Sequence, residues 1–176
     1  MKSEKQNTLT IVLFAIYMLI LTGIILFKLP FYSEISDGIR VINLIPLQGS
    51  FDADGVILLR EIIYNILLFI PLGIYIGMLK SEWSFVKKVL PVIGLSLLFE
   101  GTQFIFAMGR TDITDILGNT LGGILGIGIY ALLFRIFTSR TVKVVNILAL
   151  IVTVCIAFRF SHLFFLSHFI MGRPPR

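Results

Sequence analysis

Apolar residues come in long runs broken by short polar stretches. The runs are Leu9–Phe27, Ile62–Leu79, Val89–Met108, Ile113–Phe134 and Val144–Phe158. A helix crossing a bilayer takes about 20 apolar residues, so the pattern predicts an all-α integral membrane protein. It predicts one domain over residues 1–176, a compact bundle of about five transmembrane helices. The fifth run is short: either it continues past Arg159 into Phe160–Met171, or that stretch lies on the membrane surface. Lys2 and Lys5 before the first run look like the start of a signal peptide. That run is too long, however, and no small-residue cleavage site follows, so an uncleaved spanning helix is expected. Only the connection from Lys28 to Glu61 is long. Its stretch Asn43-Leu44-Ile45-Pro46-Leu47 reads equally as a segment dipping into the outer leaflet or as a plain extracellular loop.

Composition narrows the class further. The 176 residues are 57% hydrophobic and 14% charged, with a mean hydropathy of +0.98. A soluble domain is about half apolar and about a quarter charged, so soluble, disordered and disulfide-scaffold classes are excluded. The single cysteine, Cys155, forbids an intramolecular disulfide. In a membrane protein a net charge of +5 points to cytoplasmic loops and acidic lipid headgroups, not nucleic acid. Lys2, Lys5, Lys80, Lys87, Lys88, Arg135, Arg140 and Lys143 fall on the side of the N-terminus. Lys28, Arg40, Arg60 and Arg110 fall on the other, leaving aside Arg159, Arg173 and Arg176 beyond the fourth span. Basic loops stay inside, so the N-terminus is expected in the cytoplasm.

Polar residues inside the spans are the candidate chemistry. Ser96, Glu100 and Gln103 share one face of span three; Asp112, Asp115 and Asn119 share one face of span four. Folding the hairpin at Gly109-Arg110-Thr111 sets Glu100 level with Asn119, Gln103 with Asp115 and Ser96 with Gly123. Asn65 of span two enters from the same side, so Asn65, Glu100 and Asn119 are expected about 10 Å below the outer boundary. The expected pocket has Arg110, Asp112 and Asp115 at its mouth. Structural roles compete with this reading. Asp112 and Asp115 suit the first turn of a helix, the asparagines suit interhelical hydrogen bonds, and Arg110 suits a lipid phosphate. Glu100 is hardest to explain by structure, because a carboxylate at mid-span costs about 2.5–3.5 kcal/mol on insertion scales.

Gly118, Gly122 and Gly126 repeat every four residues, the spacing that lets helix backbones approach. Pro71 interrupts span two and is expected to kink it; Pro46 is a structural residue of the long loop. Two histidines, no HExxH, no Walker loop and no GxSxG leave no expected metal, cofactor or ATP-driven mechanism.

Five blocks in order carry a family resemblance. They are Asn43-Leu44-Ile45-Pro46; Asn65-Ile66-Leu67-Leu68-Phe69-Ile70-Pro71-Leu72-Gly73; Phe99-Glu100 with Gln103-Phe104; Thr111-Asp112-Ile113-Thr114-Asp115; and Asn119-Thr120-Leu121-Gly122-Gly123. Together they resemble the VanZ-like family over roughly the first four spans. The resemblance implies a bacterial plasma-membrane protein, Gram-positive in origin, linked to low-level resistance to teicoplanin, a lipid-tailed glycopeptide. It implies no reaction and no catalytic residues. Three functions stand open. A non-enzymatic factor would act at the outer leaflet on the drug or on a lipid-linked wall precursor. A small membrane enzyme would use Glu100 as acid or base, with Asp112 and Asp115 holding a divalent cation. A scaffold subunit would pack its glycine faces on another membrane protein. The balance leans away from an enzyme.

Overall fold

The computed structural model describes residues 2–27, 41–47, 59–106 and 110–169. In chain order they form α1 (Lys2–Phe27), β1 (Val41–Asn43), α2 (Leu59–Leu79), α3 (Phe85–Ile105), β2 (Arg110–Asp112), α4 (Ile113–Phe137), a 3-10 turn (Thr138–Arg140) and α5 (Thr141–Phe169). The remainder of the long loop, the expected turn at Gly109 and the end of the tail lie outside the described residues.

Among the described residues, four helical stretches are long and apolar enough to cross a membrane: Asn7–Leu26, Leu59–Leu79, Phe85–Ile105 and Ile113–Arg159. The expected count of about five is corrected to four. The fourth and fifth apolar runs are joined by the 3-10 turn with no loop between them, giving one stretch of 47 residues. Thr138, at φ 48°, ends α4. A β-branched residue rarely takes a positive φ, and here the Thr138 amide still donates to the Phe134 carbonyl. Past Arg159 the chain stays helical to Phe169.

The chain divides into two compact units, Met18–Thr138 and the pair of segments Met1–Tyr17 with Ser139–Arg176. In the two-segment unit, buried Thr10 and Asn146 bond reciprocally. The Thr10 hydroxyl donates to Asn146 Oδ1 at 3.1 Å, and Asn146 Nδ2 donates back to Thr10 Oγ1 at 2.9 Å. Such polar pairs join helices in lipid, where hydrophobic attraction between them is absent.

The larger unit is organised on α4. Its most extensive contact is with α2, and the two helices run parallel. Gly118 lies against Asn65, Gly122 against Ile66 and Gly126 against Ile70. A Cβ at Gly122 would overlap the Ile66 carbonyl oxygen, and one at Gly126 the Ile70 carbonyl oxygen. Gly73 answers from α2: a Cβ there would overlap the Gly123 carbonyl. The seam is therefore backbone on backbone, and α2 runs as one helix through Pro71. Helix α3 crosses the other side of the core, with Phe69 and Phe99 edge to face at a centroid distance of 6.3 Å and Val92 fully buried against Gly123.

Two three-residue strands supplement the helices. β1 and β2 pair in parallel, Asn43 opposite Asp112. β2 also resets the α3–α4 register. Ser96 lies against Asn119 and Val92 against Gly123, where Ser96 against Gly123 is expected. Three extended residues advance about 10 Å, whereas three helical residues advance about 4.5 Å. The surplus is one helical turn, which is the observed shift.

Candidate functional site

The start of α4 is built as a polar clasp. Asp112 is its N-cap: Oδ1 accepts from the Thr114 amide at 2.8 Å, a role worth about 1 kcal/mol. Its Oδ2 accepts from Asn43 Nδ2 at 2.9 Å. Asn43 Oδ1 accepts from the Ile45 amide at 3.2 Å, folding the chain after β1 into an Asx turn. Beyond exposed Pro46, Leu47 takes φ 67°, and its amide donates to Thr114 Oγ1 at 2.9 Å. A loop strand 69 residues away in sequence is thus tied to the helix start by side chains from both partners.

Glu100 lies beneath this clasp and is 3% exposed. Its Oε2 accepts from the Asp112 backbone amide at 3.0 Å, and its backbone carbonyl accepts from Thr111 Oγ1 at 3.3 Å. The carboxylate is thus held as an acceptor against the first backbone amide of the α4 start.

The other expected site residues fall into separate pairs. Asn65 donates to Asp115 Oδ1 at 2.6 Å. Asn119 donates to Ser96 Oγ at 2.9 Å instead of meeting Glu100. Gln103 donates to the Ile25 carbonyl of α1 at 2.9 Å. From Asp112 to Asn119 these contacts extend over about 10 Å of α4, so the single shared depth expected for Asn65, Glu100 and Asn119 is replaced by a ladder. Arg110 contributes backbone to β2; its side chain lies outside the described ones. Both oxygens of Asp112 accept hydrogen bonds within the clasp. Among the described residues no three His, Cys, Asp or Glu are grouped to hold a metal ion.

Among the described residues, two buried oxygens in the ladder have no hydrogen-bond donor: Gln103 Oε1 and Asn119 Oδ1. Their residues are 4% and 2% exposed. Leaving a buried polar group unsatisfied costs about 1–3 kcal/mol, which makes both oxygens candidate contacts for a donor. Asn43, Thr114 and the strand pairing complete the clasp without having been expected in the site. The turn chemistry of Asn43-Leu44-Ile45-Pro46 was the available signal for Asn43. Nothing local marks Thr114.

Parallel spans sealed by glycine, with a strand clasp over a buried acid, define a multi-span membrane protein whose larger unit gathers its buried polar residues toward the clasp. The VanZ/LLP1 family model matches residues 14–135, and the chain belongs to this VanZ-like family. It is 43% identical over 122 residues to Protein VanZ of Enterococcus faecium, an alignment covering 68% of this chain and 72% of that protein. No solved structure matches. The matched region holds the whole clasp and nearly coincides with the larger unit, Met18–Thr138; α5 lies beyond it.

Proposed function

We propose that this protein lowers susceptibility to teicoplanin, acting without ATP at the outer leaflet of a bacterial plasma membrane on the drug or on a lipid-linked wall precursor. Kinship with VanZ supports the link to the drug. The observation that carries the site is Glu100, buried below the clasp, with unsatisfied amide oxygens at Gln103 and Asn119 on either side of it along the ladder. The two amide oxygens offer acceptors, which suits a ligand rich in hydroxyl or ammonium donors. The apolar spans suit its lipid tail. A drug that concentrates at the membrane through its tail is vulnerable to a change there; vancomycin, which lacks the tail, is less so. Expression in a sensitive Gram-positive host is expected to raise tolerance to teicoplanin more than to vancomycin. A shift for neither drug overturns the proposal.

The reading requires the clasp to face outside, with the N-terminus in the cytoplasm. Leu44 is 73% exposed at the clasp, and exposed Ser81 lies at the opposite end of α2. In a Cys155→Ser background, Leu44→Cys is expected to react with an impermeant thiol reagent on intact cells, and Ser81→Cys only after lysis. The reverse pattern inverts the orientation.

A further inference from the structure

The end of the larger unit opposite the clasp is basic. Gly77 of α2 lies against the Tyr130 ring of α4. Lys80, just past the end of α2, and Arg135, in the last turn of the parallel α4, therefore reach the same end. Helix α3 begins there too, carrying Lys87 and Lys88 in its first turns. Lys80, Lys87 and Arg135 are exposed.

The turn between α2 and α3 is built to present these charges. The Trp83 amide closes it on the Lys80 carbonyl at 3.1 Å, and Ser84 caps α3. Lys80 Nζ lies 5.3 Å from the centroid of the Trp83 ring, within cation–π range. The half-buried Lys88 runs its stem back along the helix and donates from Nζ to the Ser81 carbonyl at 3.0 Å, the snorkelling direction that helical side chains favour. Neither contact neutralises a charge. Among the described residues none of the four cations is ion-paired, and Glu82 is the only acid in the turn.

We propose that this basic end binds the headgroups of anionic phospholipids, with Trp83 seated at headgroup level. Two spanning helices converge on the turn, which holds it at the membrane boundary, where tryptophan is enriched. Four cations against one acid complement a phosphate surface, and each basic residue near such a surface is worth roughly fivefold in affinity for it. The assignment does not depend on what the clasp end recognises.

Trp83 is the chain's one tryptophan, so its emission reports this site alone. The full chain is reconstituted in phosphatidylcholine vesicles containing an equal fraction of either dibrominated phosphatidylglycerol or dibrominated phosphatidylcholine. The brominated anionic lipid is expected to quench Trp83 more strongly, corresponding to an enrichment of at least about fivefold. The preference is expected to shrink in Lys87→Gln/Lys88→Gln and at high salt. Arg135→Gln, outside the turn, should give a smaller decrease in the same direction. Equal quenching by the two lipids overturns the proposal. So does quenching by neither, or a preference that survives both the double variant and high salt.

Discussion

Helix α4 is held in two different ways along its length. Through its middle it meets α2 with no side chain between them: Gly122 and Gly126 lie on the carbonyls of Ile66 and Ile70. At its start it meets β1 and α3 through Asn43, Asp112, Thr114 and Glu100, each hydrogen-bonded. The seam gains van der Waals contact, the main attraction between helices when lipid removes the hydrophobic one. The clasp satisfies backbone groups where β2 leaves regular helix, a need that lipid makes acute. At Gly122 and Gly126 the seam thus has no room for an added atom, while the clasp loses a hydrogen bond with each polar atom removed.

The largest effect is expected at the seam. A leucine at Gly122 would place its Cβ on the Ile66 carbonyl, with the Ile66 Cα only 3.0 Å away. Overpacking costs about 1–3 kcal/mol even where side chains can move; here the obstacle is backbone. Membrane levels of Gly122→Leu should fall at least about tenfold on immunoblots. Normal level with normal thermal stability would mean that the seam opens without penalty and that the contrast with the clasp is false.

Asp112→Ala comes next. It removes the cap on Thr114 and strands Asn43 Nδ2, losses of about 1 kcal/mol and about 1–3 kcal/mol. A lower unfolding temperature in detergent is expected, along with faster proteolysis between β1 and α2. Asp112→Asn keeps an oxygen for the cap and should recover part of the loss. An alanine variant as stable as the parent would remove the clasp as a structural element.

The two regions were not equally legible. The seam could be read because Gly118, Gly122 and Gly126 repeat at the helical period, and a period belongs to one local segment. The clasp joins residues 69 positions apart through a parallel strand pair, and a three-residue strand leaves no pattern in hydropathy. The same strand upset the depth estimate. Glu100 and Asn119 look level if the chain turns from helix to helix. Three extended residues shift α4 by one turn, and Asn119 meets Ser96 instead. The apolar runs themselves were plain from their length, but five spans were expected where four spanning stretches are found. The junction at Thr138–Arg140 was not, because a polar interruption can be a loop or a short helical turn, and here it is the latter.

Glu100→Gln tests whether the clasp does more than hold the fold. The amide oxygen of glutamine can still accept from the Asp112 backbone amide, so the stability change should stay below that of Asp112→Ala. The variant cannot carry charge. It is expected to reach the membrane at normal level and to lose most of the teicoplanin protection. Full protection at normal level would return Glu100 to a purely structural role, and the buried acid would then differ from the glycines only in chemistry, not in purpose.

The smallest effects grade the seam along its own length. At Gly118 a new Cβ would meet Asn65 Cβ at 3.3 Å, a contact that a small side-chain shift relieves. At Gly128 it would meet nothing within 4 Å. Glycine inside a helix costs about 0.8–1.0 kcal/mol relative to alanine, a gain that should appear undiminished at Gly128 and be partly offset at Gly118. Gly128→Ala is therefore expected to raise the unfolding temperature slightly, Gly118→Ala to leave it nearly unchanged, and Gly126→Ala to lower it clearly, since its Cβ would overlap the Ile70 carbonyl. All three substitutions add the same methyl group to the same helix, so propensity cancels; exposed Gly128 serves as the reference, and Gly118 and Gly126 report how near α2 comes at each level. If the three variants unfold together, α2 is not packed against α4 as described. If Gly118 is the most sensitive, the closest approach lies beside Asn65, and the seam and the clasp are one structure.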